Sequence, residues 1–139
     1  MAARWSEKNP NLKGAALEDA MQKEPWDPSV KGLTSVPQVL AMMNEKLDWT
    51  QQLGDAFLAQ RQELMAAVQK LRQKASAQGN LKESKEQKVI TEQVAQQTVI
   101  KIEPADPQVV YVPSYNPTVV YGAWPYPAYP PYYYPPAPY

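Results

Sequence analysis

The chain has 139 residues, 14 Lys plus Arg, 14 Asp plus Glu, and neither Cys nor His. The missing Cys excludes disulfides, thiolate metal sites, thiol nucleophiles and Fe–S clusters. The missing His removes the commonest general base and metal ligand, and zero formal charge leaves no global field to draw the chain to nucleic acid or anionic lipid.

Residues 1–49 read as short helices separated by proline and glycine stops. Met1–Glu7 reads as the end of a helix, with Asn9-Pro10-Asn11 as the stop. A helix entered halfway fits a chain that lacks its own beginning. Ala15–Gln22 makes about two turns, with Ala16, Leu17, Ala20 and Met21 apolar. Asp27-Pro28 reads as an N-cap followed by proline at the first helical position, starting a helix through Val30 and Leu33. Ser35-Val36-Pro37 is a second turn and restart, leading to Val39, Leu40, Met42 and Met43.

Asp48 opens the strongest element. With Gln51 three residues on it fits a capping box. Leu53, Phe57, Leu64, Val68, Leu71 and Ala75 then form a stripe with near-heptad spacing, predicting one long helix over 48–76. Gln60 and Arg61 interrupt the stripe, and Gly79-Asn80 ends it, where glycine suits a left-handed cap. The expected partner of this stripe is the set of short helices at 15–47. The sharper alternative is self-association through 48–76 as a coiled coil. Trp5, Trp26 and Trp49 are expected to bury area where short helices meet.

Lys82–Lys88 reads as a charged linker. Val89–Val94 and Thr98–Ile102 look like strands, with Ala95-Gln96-Gln97 turning the chain back. An internal repeat follows: Asp106-Pro107-Gln108-Val109-Val110-Tyr111 and, ten residues later, Asn116-Pro117-Thr118-Val119-Val120-Tyr121. Asx-Pro initiates turns and Val-Val-Tyr favours strand, which predicts an antiparallel meander of three or four strands over 89–121.

Composition changes sharply near residue 103. Residues 104–139 carry a single charged side chain, Asp106, with 11 of the 15 prolines and all nine tyrosines. From Gly122 onward prolines fix φ and disfavour helix at the residues preceding them, which predicts an extended polyproline or disordered tail. The organisation so read is a helical domain at 1–80, a linker at 81–88, a β segment at 89–121 and a Pro/Tyr tail at 122–139: an α+β chain with a bundle of short helices, one long helix and a small meander.

Ala2-Ala3-Arg4-Trp5 through Asn9-Pro10, Leu12-Lys13-Gly14, Pro25-Trp26-Asp27-Pro28-Ser29-Val30-Lys31, Leu47-Asp48-Trp49-Thr50-Gln51 and Leu53-Gly54-Asp55-Ala56-Phe57 resemble the bacterial family DUF3300. Ile102-Glu103-Pro104 and Val109–Pro113 with Tyr115 resemble its following segment, and the Pro/Tyr tail resembles what commonly comes next. The resemblance covers nearly the whole chain. It implies an exported Gram-negative envelope protein and no activity, substrate or catalytic residue. Members usually carry an upstream signal peptide and a further helical segment, both missing here. The expected location is therefore periplasm or envelope by resemblance, and cytoplasm if the chain is complete. No apolar stretch approaches the ~18–20 residues that span a bilayer.

Asp27, Asp48 and Asp55 are the acids on which a carboxylate-based envelope enzyme or enzyme accessory would rest, but Asp27 and Asp48 already have cap roles. No Gly-rich phosphate loop, Ser-x-x-Lys pair or nucleophile elbow appears. No metal or cofactor is expected. Nucleic acid is not an expected partner, because the tyrosines lie away from the basic residues. The tail offers Pro130-Pro131-Tyr132-Tyr133 and Pro135-Pro136-Ala137-Pro138, patterns that aromatic-lined grooves bind. The reading is therefore a non-enzymatic structural or interaction protein. Its contact residues are Trp124, Tyr126, Tyr129, Tyr132, Tyr133 and Tyr134, set against an envelope protein or a cell-wall or glycan surface.

Overall fold

The computed structural model describes residues 1–108 and 111–131. It is an α+β protein that divides into two compact units, Met1–Asp55 and Ala56–Tyr139.

The first unit holds α1 (Ala2–Lys8), α2 (Gly14–Gln22), α3 (Pro28–Leu33), α4 (Pro37–Glu45) and most of α5 (Leu47–Ala59). Local chemistry sets these boundaries. Asn9 ends α1 by donating its side-chain amide to Trp5 O at 2.8 Å. Asp27 caps α3 by accepting from Ser29 N at 2.9 Å and Ser29 Oγ at 2.7 Å, with Pro28 at the first helical position, as the sequence predicts. Pro37 likewise occupies the start of α4, there without a side-chain cap. The core is small: Ala2, Ala3 and Leu40 are buried, flanked by Trp26, Val30 and Leu33. The small Ala2 and Ala3 side chains let α1 lie against α4. Trp5 meets Trp26 edge to face with centroids 5.7 Å apart, so these two indoles join α1 to the start of α3.

The second unit holds the end of α5, α6 (Arg61–Ala77), β1 (Gln87–Val94), β2 (Gln97–Pro104) and α7 (Pro117–Val120). The single long helix expected over 48–76 is two helices. Gln60 breaks it at φ −138°, ψ 49°. The apolar stripe skips a position between Phe57 and Leu64, so no buried side chain holds the two halves in line there. The break leaves no backbone group of Gln60 stranded: its N–H donates to Ala56 O and its carbonyl accepts from Leu64 N–H. Arg61 then places its guanidinium 4.7 Å from the Phe57 ring centroid. A continuous coiled-coil seam over 48–76 is lost with the break. The capping box is also displaced, because α5 starts at Leu47 and Asp48 lies inside its first turn. There Asp48 favours the helix through the dipole rather than as a cap.

At its far end α6 closes as a Schellman motif. Gly79 takes φ +74°, Gly79 N–H donates to Ser76 O, and Asn80 N–H donates to Ala75 O. The α6 stripe of Leu64, Val68, Leu71 and Ala75 is its less exposed face. Within the second unit α6 lies against β2. Ala75 and Ile100 are the buried hydrophobics there, at 3% and 5% exposure.

β1 and β2 pair antiparallel from Gln87↔Pro104 to Val94↔Gln97. The turn is the two residues Ala95 and Gln96, both left-handed at φ 49° and 65°, the backbone that right-twisted hairpin strands require. Lys101 bridges Glu92 at 2.8 Å. Among the described residues the sheet has these two strands alone. The meander predicted over 89–121 goes no further in the described residues, because the second repeat is helical. Asn116 Oδ1 accepts from Thr118 N at 3.0 Å and Thr118 Oγ1 at 2.7 Å, and Pro117 occupies the first helical position. Cap and proline override the strand preference of Val119 and Val120. In the first copy Asp106 Oδ1 makes the equivalent bond to Gln108 N at 3.0 Å; Val109 and Val110 lie outside the described residues.

Candidate contact surface

The Schellman end of α6 positions the aromatic segment. Asn80, released from the helix by Gly79, donates its side-chain amide to Val119 O and Val120 O, both at 3.2 Å. It thereby satisfies carbonyls that a four-residue helix leaves open. α7 carries Tyr115 just before its N-cap and Tyr121 just after its last turn. One helical turn between them brings the rings edge to face at 5.8 Å, with hydroxyl oxygens 2.8 Å apart. Gly122 turns the chain at φ +73°. A β-carbon there would stand 2.9 Å from Gln78 Nε2, so the tail leaves α7 close against the end of α6.

Trp124 follows. Its ring lies 6.1 Å from Tyr121 and 6.0 Å from Tyr126, and its indole N–H donates to Tyr129 O at 2.8 Å. Tyr129 N–H donates to Tyr126 O at 2.9 Å. From Trp124 to Tyr129, therefore, the expected extended tail is a turn folded around Trp124. Tyr115, Tyr121, Trp124 and Tyr126 form a connected row of four rings. Its outer members are open to solvent, Tyr115 at 38% and Tyr126 at 45%, and Tyr129 beside the row is 78% exposed.

Burial pushes the Tyr121 phenol well above the usual tyrosine range. Its hydrogen bond with Tyr115 adds to that shift, and the Arg72 guanidinium pulls the other way. The row includes no Asp, Glu, Lys or Arg and presents ring faces, ring edges and hydroxyls. Such groups stack on sugar C–H faces, prolines and other rings, with few rotamers to immobilise.

Of the residues named from sequence, Trp124, Tyr126 and Tyr129 are brought together. Tyr132, Tyr133 and Tyr134 lie outside the described residues. Tyr115 and Tyr121 were missed as site residues. Their signal was present in the Asn-Pro start between them, which makes six residues of separation into one helical turn. The carboxylates go elsewhere. Asp27 spends its carboxylate on Ser29, whose hydroxyl and then its backbone N–H hold it below the ordinary aspartate range. Asp48 and Asp55 lie on α5. Among the described residues no group of three acids stands together as a metal-binding set, and no helix is long and apolar enough to cross a membrane.

Comparison with known proteins gives a family and no activity. The chain belongs to DUF3300, described as a protein of unknown function, whose model matches residues 1–139. It is similar to the uncharacterized protein YacH of Escherichia coli strain K12, with 53% identity over 90 residues. That stretch is 65% of this chain and 15% of YacH, so the chain spans a small part of this relative's length. No solved structure matches.

Proposed function

We propose that this chain is a non-enzymatic interaction module of the bacterial cell envelope, with the folded elements as anchor and the aromatic Pro/Tyr segment as contact surface. The carrying observation is the ring row ending in exposed Tyr126, with exposed Tyr129 held beside it by the Trp124 indole. A loop that served only as a spacer has no need of an indole fixed by both ring contacts and a hydrogen bond to Tyr129 O. An open row of rings fits a protein, glycan or cell-wall surface, because aromatic side chains supply large contact area at low entropic cost. Envelope placement rests on the family resemblance. The contact set is Trp124, Tyr126 and Tyr129, with Tyr132, Tyr133 and Tyr134 proposed as its continuation.

The test is retention on envelope fractions with and without 123–139, alongside the double substitution Trp124→Ala/Tyr126→Ala. Retention is expected to be abolished by the deletion and strongly reduced by the double variant, while far-UV circular dichroism stays near wild type. Unchanged retention in the deletion variant overturns the proposal.

A further inference from the structure

The two edges of the hairpin are treated differently. On β2 the outer edge is closed by α6. Ile100 N–H donates to Gln69 Oε1 at 2.9 Å, and Ile100 O accepts from Gln69 Nε2 at 3.2 Å and Arg72 Nη1 at 2.8 Å. Thr98 O accepts from Gln73 Nε2 at 3.5 Å. Gln69 thus imitates a neighbouring strand, and no further strand can add there.

The β1 edge has no such cover. Because Ile100 points both backbone groups outward, its partner Thr91 sits in a non-hydrogen-bonded pair and points its own groups outward too, as do Val89 and Gln93. At Gln87 the turn from Ser84 occupies the edge, through Ser84 N–H to Gln87 O at 3.0 Å and Gln87 N–H to Ser84 Oγ at 3.3 Å. Beyond it, among the described residues, nothing hydrogen-bonds to the outward backbone of Val89, Thr91 or Gln93.

We infer that β1 pairs antiparallel with β1 of a second copy of this chain, about a two-fold axis at Ile90, joining two hairpins into one four-stranded sheet. The strand's own charges select this register. It sets Val89 and Thr91 of one copy against Thr91 and Val89 of the other as hydrogen-bonded pairs. It also sets Lys88 of each copy against Glu92 of the other. Sliding by two residues either way puts Glu92 opposite Ile90 or opposite Glu86, losing both pairs. The same register continues the in-chain pattern. Lys88 already faces Glu103 across the hairpin and Glu92 already bridges Lys101, so signs alternate across the joined sheet. On the opposite face Ile102 and Val89 come into line with Thr91 and Ile100 of the second copy. Because β2 is closed by α6, the assembly stops at two copies and forms no open fibre.

Sedimentation of the full chain over a concentration series tests this. A reversible dimer is expected. Lys88→Glu alone opposes two glutamates at each charge pair, and Glu92→Lys alone opposes two lysines. Each is expected to weaken self-association by at least about tenfold. Mixing the two variants restores opposite charges at both pairs and is expected to give a mixed dimer of near wild-type affinity. Thr91→Pro removes an outward N–H while leaving the β1–β2 ladder intact, and is expected to give a monomer with unchanged circular dichroism. A wild-type chain that stays monomeric throughout overturns the inference. So does a dimer indifferent to all three substitutions, or one that mixing fails to restore.

Discussion

Tyr121 is the one titratable side chain of the ring row held away from water by its neighbours. Its raised pKa has a defined sign. The folded state binds the phenolic proton more tightly than the unfolded chain, so the associated stability is fully present below the unfolded tyrosine value of about 10. It is lost as pH rises through the higher folded value. Alkaline titration followed by tyrosinate absorbance is expected to show Tyr121 ionising well above the usual tyrosine range. Tyr115→Phe should lower its midpoint by removing the hydroxyl partner 2.8 Å away. Two glycines show how differently one residue type can be used. Gly79 needs its left-handed φ of +74° to close the Schellman motif that presents Asn80, so Gly79→Ala is expected to cost ~1–2 kcal/mol. Gly54 lies inside α5 with open space around it, so Gly54→Ala is expected to gain ~0.5–1 kcal/mol. Thermal melts of the two variants should move in opposite directions.

Helix starts were legible in the chain because a cap acts within a few residues of itself. Asp27-Pro28 and Val36-Pro37 each begin a helix where expected. Asn116-Pro117 uses the same device, yet its strand-forming Val-Val-Tyr suggested the opposite. A cap and a fixed φ act locally, whereas strand preference needs a neighbour to pair with, and among the described residues α7 has none. The hairpin was legible as two strands around Ala95-Gln96, although these residues suit left-handed backbone poorly. Replacing them by Asn-Gly, the pair that type I′ turns favour, is expected to raise stability by ~1 kcal/mol, read as a higher urea midpoint with unchanged slope. How β2 is closed was not legible. Gln69, Arg72 and Gln73 look like the solvated side of an amphipathic helix until α6 lies along the strand. Gln69→Ala leaves the Ile100 N–H without its partner and is expected to cost ~1–3 kcal/mol, with faster amide exchange at Ile100.

Across the whole molecule, all 14 basic residues precede residue 104 and the contact segment beyond carries only Asp106. Attachment through the ring row should therefore be nearly indifferent to salt. Retention on envelope fractions is expected to change by less than about twofold between roughly 50 and 500 mM salt, because screening acts on charges and not on ring contacts. A steep loss with salt would move the contact surface to the charged helices. The pairing of Lys88 with Glu92 proposed at the β1 edge is an ionic contribution and should weaken over the same range, so the two interactions are separable by salt alone.

The chain by itself determined the separation of a charge-balanced helical part from an uncharged Pro/Tyr strip, the places where most helices start, the Gly79 stop and the existence of a hairpin. Each follows from composition or from forces acting over a few residues: caps, proline's fixed φ, glycine's left-handed backbone and the alternation of a strand. Tertiary structure alone decided that the stripe over 48–76 breaks at Gln60, that its second half serves the hairpin, and that Tyr115 and Tyr121 join Trp124 in one row. Those outcomes depend on contacts between residues far apart in the chain, such as Gln69 with Ile100 and Asn80 with Val119. No local pattern of residues encodes which distant backbone a glutamine or an asparagine will meet.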